Sequence, residues 1–144
     1  MSKLTFDTRH LVTFEETNLV GNVYFSNYFL WQGRARELFL REHSPATLAQ
    51  VTAGELRLVT AHASCDFVDE FLAFDDVLVR MTLIRLIPFG LSLGFEYCRS
   101  VPNGSNLEVV ARGRQDIKFL RREGSRWDLC EIPPLLLKAM RNYE

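Results

Sequence analysis

The chain has 144 residues, 47% of them apolar, and its 17 Lys and Arg nearly balance 18 Asp and Glu. That length predicts a single domain over residues 1–144 with a real core, and near-neutrality gives no electrostatic case for nucleic acid or an anionic membrane surface. No stretch approaches the roughly 18 apolar residues of a membrane span, and the opening MSKLTFDTRH lacks the apolar run of a signal peptide, so a cytoplasmic location is expected.

In chain order, Leu4, Phe6, Val12 and Phe14 alternate with polar residues and predict a half-buried first strand. The polar stretch from Glu15 to Asn22 reads as a loop whose Asn22 caps the following helix. That helix is expected from Val23 or Tyr24 to about His43, because Tyr24, Tyr28, Phe29, Ala35, Leu38 and Phe39 recur at steps of three and four. From Phe25 onward it spans roughly 28 Å. Ser44-Pro45 starts a short second helix that ends before Gly54. Then Val59, Ala61, Ala63, Cys65, Phe67 and Phe71 occupy one face of a strand by parity. Further strands are expected over Val77 to Ile87, Leu91 to Tyr97, Leu107 to Leu120 and Trp127 to Ile132, with Asn103-Gly104 as a hairpin and a short amphipathic tail after Pro133-Pro134.

One strand, one long helix and a meander of long strands predict an α+β fold in which a curved antiparallel sheet wraps around the single central helix. Apolar surface left outside that arrangement favours a homo-oligomer.

Cys65, Cys98 and Cys130 are odd in number, with no C-x-x-C pair, and read as buried free thiols rather than a disulfide framework or a zinc site. His10, His43 and His62 fall on three separate elements with no metal-ligand spacing. Gly90-Leu91-Ser92-Leu93-Gly94 matches the serine-hydrolase elbow, yet it alternates as a strand and no histidine follows it. Arg112, Arg114, Lys118 and Arg122 share one strand face, which is either a solvated face or a dock for an acidic partner or a phosphate. Tyr28, Gln32 and Arg36 share one helix face, and the free N–H groups at the start of that helix suit a developing negative charge. Arg36 alternatively forms an ordinary surface ion pair.

The stretch FEETNLVGNVYFSNY with the later GRAR resembles the 4-hydroxybenzoyl-CoA thioesterase branch of the hotdog-fold superfamily, and the predicted element order agrees with that fold along essentially the whole chain. Asn18 stands where that branch places its catalytic Asp, and a neutral amide is neither nucleophile nor strong base. The same run looks like the thioesterases of enediyne polyketide biosynthesis, which carry this Asn and release a polyene chain from the acyl carrier protein of an iterative synthase.

The resemblance implies Asn18 and Arg36 as catalytic residues; the mechanism expected of them has Asn18 orienting the attacking water or the carbonyl while Arg36 and backbone N–H groups at the helix start stabilise the oxyanion. It implies Gly21, Asn22, Val23, Tyr24, Tyr28 and Phe29 around the substrate, and no metal or organic cofactor; Tyr28, Phe29 and Leu38 are the expected wall residues of a long apolar channel. Glu15 and Glu16 are auxiliary candidates as bases, and Arg112, Arg114 and Lys118 candidate contacts to the carrier protein or pantetheine phosphate. The resemblance further implies a β-keto acid product that loses CO2 to give a methyl ketone, and a tetrameric assembly. Two other readings stay open: a general acyl-CoA thioesterase of the same fold, and a non-catalytic acyl-binding protein.

Overall fold

The computed structural model describes residues 3–100 and 106–144. The first strand, β1, is Phe6–Leu11. It stops before Phe14 because Phe14–Glu16 forms a 3-10 turn, which leaves the Phe14 ring exposed beside Phe74. Helix α1 is Ser26–His43 and α2 is Pro45–Thr52. The strands that follow are β2 (Leu56–Phe67), β3 (Asp76–Ile87), β4 (Gly90–Ser100), β5 (Leu107–Glu123) and β6 (Arg126–Leu129), and the chain closes with α3 (Pro134–Arg141). The expected Asn103-Gly104 hairpin lies outside the described residues.

Among the described residues all pairings are antiparallel, in the order β1-β3-β4-β5-β2, and β6 pairs with β5 past the end of β4. β3, β4 and β5 form the expected meander. β2 instead crosses to the far edge and pairs with β5. Irregularities in register at Thr60/His62, Leu83/Arg85 and Tyr97/Cys98 add twist to the long strands. The irregularity in β2 also corrects a parity expectation: Leu58 and Thr60 share the core side with Cys65, while Val59 turns outward and is 41% exposed.

Helix α1 lies in the concave face of the sheet. Tyr28, Trp31, Gln32, Ala35 and Phe39 recur along one stripe and are buried against Tyr97, Ile117 and Phe119. The central helix is therefore as expected, but it does not fill the fold alone. The buried Leu136 and Met140 of α3 cover one end of the core, and Tyr143 packs edge-on against Phe6 and Phe39.

The convex face is polar. One row of register partners crosses all five long strands as Asp7, Arg80, Glu96, Arg112 and Asp66, alternating in sign. Ser92, the serine of the elbow-like motif, is fully buried within β4 on this same side, not on a strand-to-helix turn.

Candidate active site

The loop between the 3-10 turn and α1 folds back as a miniature hairpin. Thr17 pairs with Val23, the Asn18 N–H donates to the Asn22 carbonyl at 2.9 Å, and the Gly21 N–H donates to the Asn18 carbonyl at 3.0 Å. Gly21 adopts φ +92°, a conformation open to glycine at little cost. The Asn18 side-chain oxygen accepts the Val20 backbone N–H at 3.0 Å, an Asx turn. That bond fixes which end of the amide is spoken for. Both Asn18 amide N–H groups have no acceptor among the described residues.

Asn22 does not cap α1. Its side-chain N–H donates to Glu70 at 2.7 Å, and its backbone bridges to Leu72, so it ties the loop to the β2–β3 connection. The helix starts later than expected, with Phe25 at the N-cap and no side-chain cap. The Asn27 and Tyr28 N–H groups are taken by the carbonyls of Tyr24 and Phe25. Those of Phe25 and Ser26 have no acceptor among the described residues. The helix start thus offers two free donors rather than a full turn of them.

A cavity of about 290 Å³ opens at this point. Asn18, Asn22 and Val23 line it from the loop, Tyr24, Phe25 and Tyr28 from the start of the helix, and Phe67, Asp69 and Glu70 from the end of β2. Burial pushes the Tyr28 phenol up to about 12, so it stays neutral at physiological pH. The two carboxylates are engaged: Arg99 pairs with Asp69 at 3.0 Å, and Asn22 holds Glu70. Sequence reasoning missed Phe67, Asp69 and Glu70, because they reach the cavity through a connection with no motif of its own. Phe29 is half-buried and outside this lining, and Leu38 borders a different cavity, beside Phe6 and Arg41.

Neither auxiliary glutamate reaches the cavity. Glu15 is exposed. The Glu16 carboxylate accepts from His10 at 2.7 Å, from the Trp31 indole at 3.2 Å and from the Thr13 N–H at 3.0 Å, while its carbonyl accepts from Asn27 and Tyr24. It is a structural knot that fastens β1, the loop and α1.

Arg36 lies ten residues into the helix from Ser26, a rise of roughly 15 Å. The cavity lining does not include it, so within one chain Asn18 and Arg36 are not brought together. Its guanidinium donates to Gln115 Oε1 at 2.9 Å and to Thr60 Oγ1 at 3.1 Å, both neutral. Among the described residues no carboxylate forms an ion pair with it, so the expected surface pair is absent. Burial lowers its pKa.

The basic strand face carries its own counter-charges. Arg112 pairs with Glu96 at 3.6 Å, Arg114 with Asp116 at 3.1 Å, and the Lys118 ammonium donates to the Pro88 carbonyl. Acidic residues from the same face interleave with the basic ones, which removes the electrostatic argument for an acidic partner there.

The family model for the thioesterase-like superfamily matches residues 12–140. The chain belongs to this superfamily. Crystal structures of the dynemicin thioesterase, described for polyene binding, are 42% identical over 96% of both chains, with a TM-score of 0.88. An Asp-to-Asn mutant of 4-hydroxybenzoyl-CoA thioesterase complexed with 4-hydroxybenzoyl-CoA is 17% identical over 94% of this chain and 98% of that one, with a TM-score of 0.82. A 1,4-dihydroxy-2-naphthoyl-CoA thioesterase from Synechocystis is 21% identical over 95% and 96%, with a TM-score of 0.75. The last two show the shared hotdog fold. No curated protein sequence matches the chain. Among the described residues no helix of this hotdog protein is long and apolar enough to cross a membrane. Family and fold support thioester hydrolysis as the chemistry of the site.

Proposed function

We propose that the protein hydrolyses the thioester joining a linear polyene β-keto chain to the acyl carrier protein of an iterative polyketide synthase. The observation that carries this reading is the near-complete, 42% identical match to a thioesterase described with bound polyene. The site chemistry agrees with it. Water adds to the thioester carbonyl, the tetrahedral oxyanion collapses, the carbon–sulfur bond breaks, and the thiolate leaves to take up a proton. A thiolate is a good leaving group, so donors aimed at the oxyanion supply the main help, each contributing about 2.7 to 4 kcal/mol. The unengaged amide N–H groups of Asn18 and the free N–H group of Phe25, two residues that line the cavity, serve as such donors in this reading. The liberated β-keto acid then splits into a methyl ketone and CO2.

Arg36 joins this set from a second copy. β2 is an edge strand of 12 residues, exposed from Val59 to Ala63, and an uncovered edge of that length is a template for pairing with another chain. Arg36 reaches that edge through Thr60. Pairing along β2 brings the Arg36 of one protomer towards the Asn18 loop of the other, and such dimers pair again into a tetramer. A second copy also lengthens a cavity that is small for a polyene in one chain.

The experiment is mass spectrometry of what the protein liberates from an acyl-loaded iterative synthase, with one acyl chain offered on carrier protein and on CoA. A methyl ketone, and faster release from the carrier protein, are the expected results. A strong preference for CoA replaces this reading with a general acyl-CoA thioesterase, and bound chain without turnover makes the protein an acyl-binding module.

A further inference from the structure

A short chain of neutral amides runs from Arg36 into the core. Gln115 accepts from Arg36 through Oε1 and donates through Nε2 to Gln32 Oε1, at a long 3.5 Å. Gln32 in turn donates through Nε2 to the Ser64 carbonyl at 3.1 Å. Gln32 is fully buried and Gln115 is 4% exposed. A backbone carbonyl cannot donate, so Ser64 fixes the Gln32 amide, Gln32 fixes the Gln115 amide, and Gln115 can only present its oxygen to the guanidinium.

The helix meets the sheet here through a gap left by Gly113. A Cβ at that position would stand 2.4 Å from Gln32 Nε2 and 3.1 Å from the Ser64 carbonyl oxygen. Two adjoining buried glutamines are costly to place in a core unless their polar atoms are matched. A carboxylate at position 115 would also accept from Arg36 and would add an ion pair that cancels its charge, at the loss of the donor to Gln32; the amide serves both partners and leaves the charge.

We infer that Gln115, oriented by Gln32, is a positioning residue that aims Arg36 while leaving its positive charge unneutralised, so that the charge remains available to the reaction's oxyanion. This rests on the reading of Arg36 given above. The amides supply direction without charge, and the thioester oxygen supplies the negative charge only as the tetrahedral state forms. An interaction made only then raises kcat rather than lowering KM.

The test compares Gln115→Glu, Gln115→Met and Arg36→Ala in the full-length protein, with hydrolysis of decanoyl-CoA and the thermal midpoint as readouts. Gln115→Glu is expected to lower kcat at least about tenfold with KM within about threefold, while its thermal midpoint stays at or above that of Gln115→Met, because the carboxylate keeps the acceptor for Arg36 although it loses the donor to Gln32. Gln115→Met keeps the volume and adds no charge, so it is expected to retain more kcat than Gln115→Glu despite a lower midpoint. A purely structural glutamine gives the opposite order, with activity following stability. If Arg36→Ala is impaired while Gln115→Glu turns over at the parent rate, the inference about Gln115 is overturned and the reading of Arg36 stands. If Arg36→Ala itself turns over at the parent rate, both fall.

Discussion

The Trp31 indole N–H donates to the Glu16 carboxylate at 3.2 Å, which takes that carboxylate out of the set of bases and makes it a brace. Glu16→Ala leaves the Trp31 donor, part-buried, without its partner. The expected loss is about 1 to 3 kcal/mol of stability, read from the urea midpoint, with kcat per folded molecule falling only as the Asn18 loop loosens. Glu15→Ala is expected to change neither. A double variant that folds normally but has no activity would return the glutamates to the mechanism.

Asn18 is tested by two substitutions. Asn18→Asp keeps an oxygen for the Val20 N–H but removes both side-chain donors and adds a negative charge beside the forming oxyanion. Asn18→Ala removes the donors and the Asx turn. Both are expected to lower kcat by roughly 10 to 1000 fold with little change in thermal midpoint. Parent-like or faster turnover in Asn18→Asp would place a base, not a donor, at this position.

If Asn18 and Arg36 belong to one site built by two copies, the inactive Asn18→Ala and Arg36→Ala chains complement each other. After unfolding and refolding an equal mixture, half the dimers are mixed and each mixed dimer has one intact site. About a quarter of the parent activity is therefore expected. No recovery in a mixture shown to exchange subunits would put the two residues in separate roles.

Glu70 is the carboxylate nearest to competing with this scheme, since it lines the cavity. Its bond to Asn22 predicts a structural part: Glu70→Gln keeps an acceptor for Asn22 and is expected to hold kcat within about threefold. A tenfold or greater loss, accompanied by loss of the acidic limb of the pH–rate profile, would identify Glu70 as the general base.

Burial pushes the Cys65 thiol from its ordinary 9.0 up to about 12 and raises Cys98 and Cys130. Alkylation by iodoacetamide at pH 7.5 is expected to be slower than for free cysteine and to leave turnover unchanged. The same burial affects stability in base. Tyr28 is raised from 10.0 to about 12, and Tyr97, which donates to the Tyr28 carbonyl at 2.8 Å, is raised as well. The unfolded chain releases these protons first as pH climbs, while the folded chain keeps them. Their contribution is complete below about pH 9 and is lost as pH rises toward 12. The urea midpoint is expected to fall across that range, and less steeply in Tyr97→Phe.

Elements whose side chains report their own periodicity were legible in the sequence. Helix α1 announced itself through Tyr28, Ala35 and Phe39, and β4 through Leu91, Leu93 and Phe95. Where the backbone departs from a period, the residues carry no sign of it: the irregularity between Thr60 and His62 turns Val59 outward, and the 3-10 turn lifts Phe14 off the strand. The site divides in the same way. Asn18 and Arg36 stood out as residue types in a recognisable run, whereas Glu70 and Gln115 reach their partners from 48 and 79 positions away. On the basic face, strand parity aligns Arg112 with Arg114 and Asp116 but says nothing of Glu96 on the neighbouring strand.

Hydrophobic alternation forbids a strand from slipping by one residue, because every apolar side chain would turn to water, but it is blind to a slip of two. The signs across the convex face are not. Moving β4 two places along β3 would set Arg80 opposite Gly94 or Cys98 instead of Glu96, and would uncouple Arg112 in the same stroke. Arg112 and Glu96, paired at 3.6 Å, thus mark the native alignment of β4 on β5, the strand whose Gly113 leaves the gap that Gln32 fills.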